Sequence, residues 1–174
     1  TTAKAGVSLI NINDFKVVML APNKYQYYNL NNYSAVIKIT YKNNSFLFMG
    51  DAEELSENEI TGDVSADVLK VGHHGSSSST GQTFLNKVNP KFAVISVGAD
   101  NDYGHPAQMT LDKLTAIGAT IFRTDKDGTV IFTSDGTNIT VNKVSSTAAG
   151  SGNGSNGTAN SSSKVIISNV DKVA

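Results

Sequence analysis

Between residues 35 and 133 the sequence alternates short apolar runs with segments whose apolar residues recur at helical spacing. The apolar runs have the length of strands, and turn-forming residues bound them. Strands that alternate with helices are typical of a layered α/β fold, and hairpins early in the chain add antiparallel pairing. The pattern therefore predicts an α/β fold with a mixed β-sheet. The predicted strands are residues 7–12, 15–20, 35–41, 45–49, 68–71, 92–97, 120–123, 129–133 and 138–141, and the predicted helices are residues 52–60, 80–89 and 106–117.

The absence of cysteine restricts the metal sites that this chain can form. Its 174 residues include three histidines and no cysteine, which excludes disulfides, iron–sulfur clusters and thiolate zinc sites. Any metal must be bound by His and carboxylate side chains. The net charge of −1 argues against a strongly basic nucleic-acid-binding domain. No apolar run reaches the ~20 residues of a membrane helix, so no membrane span is expected in this chain.

The composition changes abruptly after residue 144. Residues 145–163 consist of Ser, Gly, Asn, Thr and Ala and carry no charge, which predicts a flexible linker. Residues 164–174 return to a strand-like pattern and are expected to begin a further β-rich module. The first 144 residues are therefore expected to form the main folded part.

Three polar clusters each follow an apolar run in the alternating region. They are Gly50-Asp51, the segment 72–76 (GHHGS) and the segment 103–106 (YGHP), and they contain all three histidines. Ligands gather beyond the carboxyl ends of strands in layered α/β folds, because side chains converge where the backbone leaves the sheet. The three clusters therefore predict a functional site.

Two of these clusters allow a structural and a functional interpretation. Asp51 can cap a helix that begins at residue 52, with Glu54 completing a capping box, or it can bind metal ions at the mouth of a buried strand. His73 and His74 can share a site because glycines flank them, although adjacent residues of a strand point to opposite faces. Neutral imidazole is a good ligand for zinc or manganese, and a second imidazole can serve as an acid or a phosphate contact.

The remaining candidates are Ser76, Tyr103 and His105. Ser76 belongs to a run of serines that is either a polar loop or a set of hydroxyl donors for phosphate oxygens. His105 precedes Pro106 and is expected at a helix N-terminus, where the helix dipole lowers the pKa of an imidazole; a local capping role is the alternative. Tyr103 either packs against its neighbours or contacts a substrate.

In this order the clusters resemble the metallo-β-lactamase superfamily, and specifically its ComEC/Rec2 branch of competence proteins. The resemblance covers about residues 5–141. It implies the second half of a four-layer αββα sandwich with a metal site, usually two zinc ions, at one edge. The segments that carry it are residues 32–36 (NYSAV), 46–53 (FLFMGDAE), 67–80 (DVLKVGHHGSSSST), 84–98 (FLNKVNPKFAVISVG) and 103–106 (YGHP).

The resemblance also implies roles for the candidate residues. Asp51 would bridge two metal ions, zinc or manganese. Either His73 or His74 would be the last histidine ligand, and the resemblance does not decide between them. We take Asp51 and His74 as metal ligands, His73 and His105 as catalytic residues, and Ser76 and Tyr103 as substrate contacts.

The superfamily's His-x-His-x-Asp-His signature lacks a counterpart here, because the three histidines are already assigned. Residues 20–22 (LAP) also lack the usual third histidine ligand. We therefore expect a fragment that needs the N-terminal half of its domain and is inactive alone. The resemblance implies a metal-dependent hydrolase, most readily a phosphodiesterase or nuclease that acts on DNA. The Ser/Gly/Asn linker, the β module after it and the lack of membrane spans lead us to expect an extracellular or cell-surface location. The alternatives are hydrolysis of a phosphocholine or acyl ester on the same scaffold, and a binding domain without catalysis.

Overall fold

The structure is a computed structural model that describes residues 2–144 and 165–168. Within these ranges the chain forms strands and α-helices in alternation, together with a short 3₁₀ turn at Leu30–Tyr33 and a turn at Gly72–Gly75 whose two central residues have positive φ. The strands are β1 (Ser8–Ile12), β2 (Phe15–Ala21), β3 (Val36–Tyr41), β4 (Asn44–Phe48), β5 (Val68–Lys70), β6 (Phe92–Ile95), β7 (Thr120–Arg123), β8 (Thr129–Ser134), β9 (Ile139–Val144) and β10 (Val165–Ser168), and the helices are α1 (Glu54–Glu59), α2 (Gln82–Val88), α3 (Gln108–Ala116) and α4 (Thr124–Asp127).

Seven strands form one mixed sheet in the order β1-β2-β3-β4-β5-β6-β7. Strands β1 to β4 pair antiparallel, since tight turns with positive φ at Asn13 and Lys42 connect two of the pairs. Strands β4 to β7 pair parallel, and α1, α2 and α3 lie in the successive crossovers between them. This arrangement confirms the predicted α/β class with a mixed sheet.

The two faces of this sheet bury separate apolar clusters, because side chains alternate along each strand. On one face, Leu47 and Leu69 belong to a core that includes residues of α2 and α3. On the other face, Phe46 and Val68 pack against a second sheet, in which β8 lies between β10 and β9. Burial of each large apolar side chain stabilises the fold by roughly 1.5–3 kcal/mol. The described residues therefore form a helix layer and two sheet layers, consistent with a metallo-β-lactamase sandwich.

Strand β10 lies in the segment expected to begin a further module. Residues 165–168 pair antiparallel with β8, so this segment extends the second sheet. The predicted linker at 145–163 and the rest of the predicted module lie outside the described residues, and the domain boundaries stay a prediction. Among the described helices, none is long and apolar enough to cross a membrane.

Two helix boundaries differ from the sequence predictions in ways that affect the site. Helix α1 begins at Glu54 rather than at residue 52, because Met49 to Ala52 form a turn in which Ala52 N–H donates to the Met49 carbonyl. Helix α3 begins at Gln108 rather than at Pro106. Both changes place candidate side chains in loops at the carboxyl ends of parallel strands.

Candidate active site

Asp51 lies in the turn that follows β4. The N-cap residue of α1 is Glu53, so the prediction that Asp51 caps this helix is wrong. Gly50 has a φ of 56°, and its backbone lies so close to Ser34 that an added Cβ would be 3.1 Å from the Ser34 Cβ. The Asp51 N–H donates to Ser34 Oγ at 3.0 Å, and this hydrogen bond holds the Asp51 backbone in place. The carboxylate, with 44% of the side chain exposed, is left for other contacts.

His73 and His74 occupy an uncommon backbone conformation directly after β5. Their φ angles are 46° and 52°, in the left-handed region that non-glycine residues rarely adopt. This conformation costs roughly 1–2 kcal/mol per residue and is found preferentially at functional sites. It also breaks the strand alternation, so that the two imidazole centroids lie 6.5 Å apart. The two rings thus lie close together at the end of β5, and their participation in one functional site stays a prediction.

The hydrogen bonds of His74 fix which of its nitrogens faces Asp51. Nδ1 lies 2.8 Å from the carbonyl oxygen of Ser96, at the end of β6. A carbonyl oxygen only accepts, so Nδ1 carries a hydrogen, and in the neutral imidazole the lone pair is on Nε2. Nε2 lies 3.5 Å from Asp51 Oδ1. Metal-binding histidines commonly have their second nitrogen held in this way, which fixes the tautomer and the ring orientation.

His73 is held by different partners. Its Nδ1 lies 3.3 Å from Ser78 Oγ and 3.8 Å from Glu53 Oε1. Ser78 Oγ in turn donates to Glu53 Oε1 at 3.1 Å. In this chain of contacts Nδ1–H of His73 donates to the serine, which leaves Nε2 as the basic nitrogen. The ring centroid of His73 lies 5.7 Å from that of His105.

Glu53 organises this side of the site, although no sequence pattern predicted a role for it. Its carboxylate accepts from the amides of Asn29, Asn31 and Asn32 as well as from Ser78. Several amide donors around one half-buried carboxylate connect the loop before β3 to the loop after β5. In the sequence, Glu53 is marked only by its position two residues after Asp51, at the end of the segment 46–53.

Glu57 anchors the distal end of the same histidine loop. Its buried carboxylate accepts the backbone N–H groups of Thr80 at 2.6 Å and Gly81 at 2.8 Å. Burial raises the pKa of Glu57 to about 7, against the lowering effect of these two bonds. No sequence pattern predicts this contact, because Glu57 and Thr80 are 23 residues apart and belong to different parts of the fold.

His105 reaches the site from the loop before α3, where Asn101 and Gly75 position it. The Asn101 side chain accepts the His105 N–H at 2.9 Å and donates to its carbonyl at 2.8 Å. Gly75, with a φ of 83°, contacts Pro106 so closely that an added Cβ would lie 2.6 Å from the Pro106 Cβ. Burial lowers the pKa of His105, and the nearby His73 and His74 lower it further. The predicted direction is confirmed, but the cause is desolvation and neighbouring imidazoles, because α3 begins three residues later.

A cavity of about 470 Å³ opens beside His74 and His105. Tyr103 is 84% exposed at this cavity, and its ring stacks on His105 with centroids 5.8 Å apart and 17° between planes. Ser76 is only 7% exposed, and its hydroxyl lies 3.1 Å from Ser78 Oγ. A substrate contact by Ser76 stays a prediction that its burial disfavours. The cavity is lined by His74, Val97, Gly98, Ala99, Asp100, Asn101, Asp102, Tyr103 and His105.

The donors at this site suit a divalent metal in kind but not in number. Asp51 and His74 present an oxygen and an imidazole nitrogen to each other, which are the ligand types that zinc and manganese accept. Among residues 2–144 and 165–168, however, no group of three or more His, Asp or Glu side chains is arranged to hold a metal ion. Structural zinc sites use four ligands and catalytic sites usually three. Asp51 and His74 are thus fewer donors than either kind of zinc site uses.

Comparison with known proteins gives one consistent family. A sequence profile of the metallo-beta-lactamase superfamily matches residues 13–99. ComE operon protein 3 of Bacillus subtilis is 38% identical over 125 residues, which are 70% of this chain and 16% of that protein. Competence protein ComA of Neisseria gonorrhoeae is 32% identical over 117 residues, 65% of this chain and 17% of that protein. Recombination protein 2 of Haemophilus influenzae is 36% identical over 101 residues, 58% of this chain and 13% of that protein. The chain thus spans less than a fifth of the length of these relatives.

Proposed function

Because the chain belongs to the metallo-beta-lactamase superfamily, in its ComEC/Rec2-like branch, we propose that it forms part of a metal-dependent phosphodiesterase that acts on DNA. Members of this superfamily commonly bind divalent metals. Among its relatives, one is named as a competence protein, one as ComE operon protein 3 and one as Recombination protein 2. These names support DNA as the substrate class. An extracellular or cell-surface location, expected from the Ser/Gly/Asn-rich tract, is part of the same proposal.

The observation that carries the proposal is the pairing of His74 with Asp51. The Ser96 carbonyl holds Nδ1–H of His74, so the lone pair of Nε2 faces Asp51 Oδ1 at 3.5 Å. We assign His74 rather than His73 as the metal ligand, since the carboxylate within 4 Å of His74 is Asp51, at Nε2, whereas the one within 4 Å of His73 is Glu53, at Nδ1. The further ligands would come from a segment that precedes this chain, as the superfamily signature implies.

The other residues would act around the metal. When bound, two divalent ions supply an acidified water and stabilise charge that develops on phosphoryl oxygens. His73, with Nδ1 held by Ser78, offers a basic Nε2 for proton transfer. His105 stays neutral near pH 7 because its pKa is lowered, so it can accept or donate a hydrogen bond without adding charge.

The test is cleavage of a single-stranded oligonucleotide by this chain together with the segment that precedes it. We expect cleavage activity that requires manganese or zinc. The activity should fall at least about 100-fold in Asp51→Ala and in His74→Ala, because loss of a ligand should cost at least as much as loss of a residue that supports a ligand. Asp14→Ala, which removes an exposed carboxylate in the β1–β2 turn, is the matched control and should cleave normally. Cleavage that survives Asp51→Ala would place the active site elsewhere. Preferential hydrolysis of a phosphocholine or acyl ester would refute DNA as the substrate.

A further inference from the structure

Tyr103 is an aromatic residue in an unusual setting. Its side chain is 84% exposed, yet its ring is not isolated, because it stacks nearly parallel on His105. Exposure of a large aromatic ring to water costs free energy, and a ring held in a fixed orientation at a cavity mouth is a surface for flat ligands. One face of the Tyr103 ring is turned to His105, and the exposure leaves the other accessible.

The loop that carries Tyr103 is held in place by its own hydrogen bonds. Asn101 donates to the Gly98 and His105 carbonyls and accepts the His105 N–H. Pro106, which follows His105, is buried against Gly75. These contacts fix both ends of the segment 98–105, so the aromatic stack requires little ordering when a ligand binds.

The charges of the cavity determine which part of a nucleotide fits beside Tyr103. Asp100 and Asp102 are exposed and line the cavity on the same loop, and their carboxylates repel phosphate. His74 lines the same cavity, and its Nε2 lies 3.5 Å from Asp51 Oδ1, where the metal of the proposed function would attract phosphate. The neutral, planar part of a nucleotide is therefore favoured at Tyr103, and the phosphate at His74 and Asp51.

We propose that Tyr103, supported by His105, is a stacking platform for a nucleobase of a single-stranded substrate, with the scissile phosphate at the Asp51 and His74 end of the cavity. This inference rests on the proposed function and adds how the strand is oriented in the site. Stacking on an aromatic ring is tolerant of base identity, because every base has a π-face. Duplex DNA, whose bases are already stacked, would be a poorer ligand at this position.

Binding to the 174-residue chain tests the inference without catalysis. The probes are 2′-deoxyadenosine 5′-monophosphate and deoxyribose 5-phosphate, which differ only by the base, titrated against the chain while NMR follows the ring signals of Tyr103 and His105. The nucleotide should bind about 5- to 100-fold more tightly than the sugar phosphate. It should also shift both ring signals, whereas the sugar phosphate should leave the Tyr103 signal in place.

Three variants separate stacking from other effects. Tyr103→Ala should remove the preference for the nucleotide, and Tyr103→Phe, which keeps the ring, should retain it. Tyr28→Ala is the matched control, since Tyr28 is also fully exposed but does not line the cavity. Equal binding of the two probes to the wild-type chain, no binding of either, or undiminished nucleotide preference in Tyr103→Ala would each overturn the inference. Failure of the proposed function is a different result, in which Asp51→Ala retains oligonucleotide cleavage.

Discussion

Replacement of Gly75 by alanine is expected to separate the two loops that carry the histidines. Gly75 has a φ of 83°, which costs an alanine roughly 1–2 kcal/mol. Its new Cβ would meet the Pro106 Cβ at 2.6 Å and the Pro106 Cα at 3.2 Å. Overpacking of this kind costs typically 1–3 kcal/mol. The free energy of unfolding should therefore fall by about 2–5 kcal/mol in Gly75→Ala.

A second glycine separates the backbone cost from the cost of the contact with Pro106. Gly118 has a similar φ of 77°, and no atom lies within 4 Å of the Cβ that alanine would add there. Gly118→Ala should therefore lose only the backbone contribution, about 1–2 kcal/mol. The difference between the two variants, measured by urea unfolding, reports the contact with Pro106.

The same substitution should change the geometry of the site. The Cβ contact must open from 2.6 Å to at least the 3.4 Å of an ordinary contact, which moves His105 away from His73 by roughly 0.8 Å if the loop shifts as a unit. Displacements near 1 Å at a catalytic site cost about 100-fold in rate. The nuclear Overhauser contact between the His73 and His105 rings should weaken in Gly75→Ala and persist in Gly118→Ala. Equal loss of stability in both variants, with an unchanged ring contact, would refute the coupling of the two loops.

Three further predictions concern single residues. His73→Asn should change the free energy of unfolding by no more than about 1 kcal/mol, because Asn tolerates the left-handed backbone conformation of this position. The same variant should lose cleavage of DNA. Marked destabilisation in urea would contradict this prediction. Burial raises the pKa of Glu57 from 4.5 to about 7, so the folded state holds this proton more tightly than the unfolded state does. The free energy of unfolding gained in this way is complete below pH 4.5, and about 3 kcal/mol is lost as the pH rises through about 7. The free energy of unfolding of Glu57→Gln, measured between pH 5 and 8, should lack this decline. The control Asp63→Asn removes a carboxyl whose pKa is lowered to about 2 and should retain the decline. A decline that persists in Glu57→Gln would disprove that Glu57 is the titrating group. The chain alone, with Asp51 and His74 as its two proposed ligands, should bind zinc in calorimetry with a Kd between about 1 µM and 1 mM, and a nanomolar Kd would reveal ligands that this site does not account for.

The alternation of strands and helices could be predicted from the sequence because its causes are local. Apolar runs of strand length, such as the one that forms β4, and the helical spacing of Phe84, Leu85 and Val88 each reflect the burial of one element. The position of the polar clusters after β4, β5 and β6 followed from the same pattern. Parallel pairing then placed these clusters at one edge of the sheet.

The assignment of roles within the site required tertiary contacts. Which nitrogen of His74 faces Asp51 depends on the Ser96 carbonyl, which lies 22 residues away at the end of the neighbouring strand. Asp51 is not a helix cap because the turn at Gly50 closes against Ser34. The sequence determined which residues reach this edge of the sheet, since burial and turn formation act over a few neighbours. The tertiary structure decided which atoms meet there, because such distances depend on how separate strands and loops pack together.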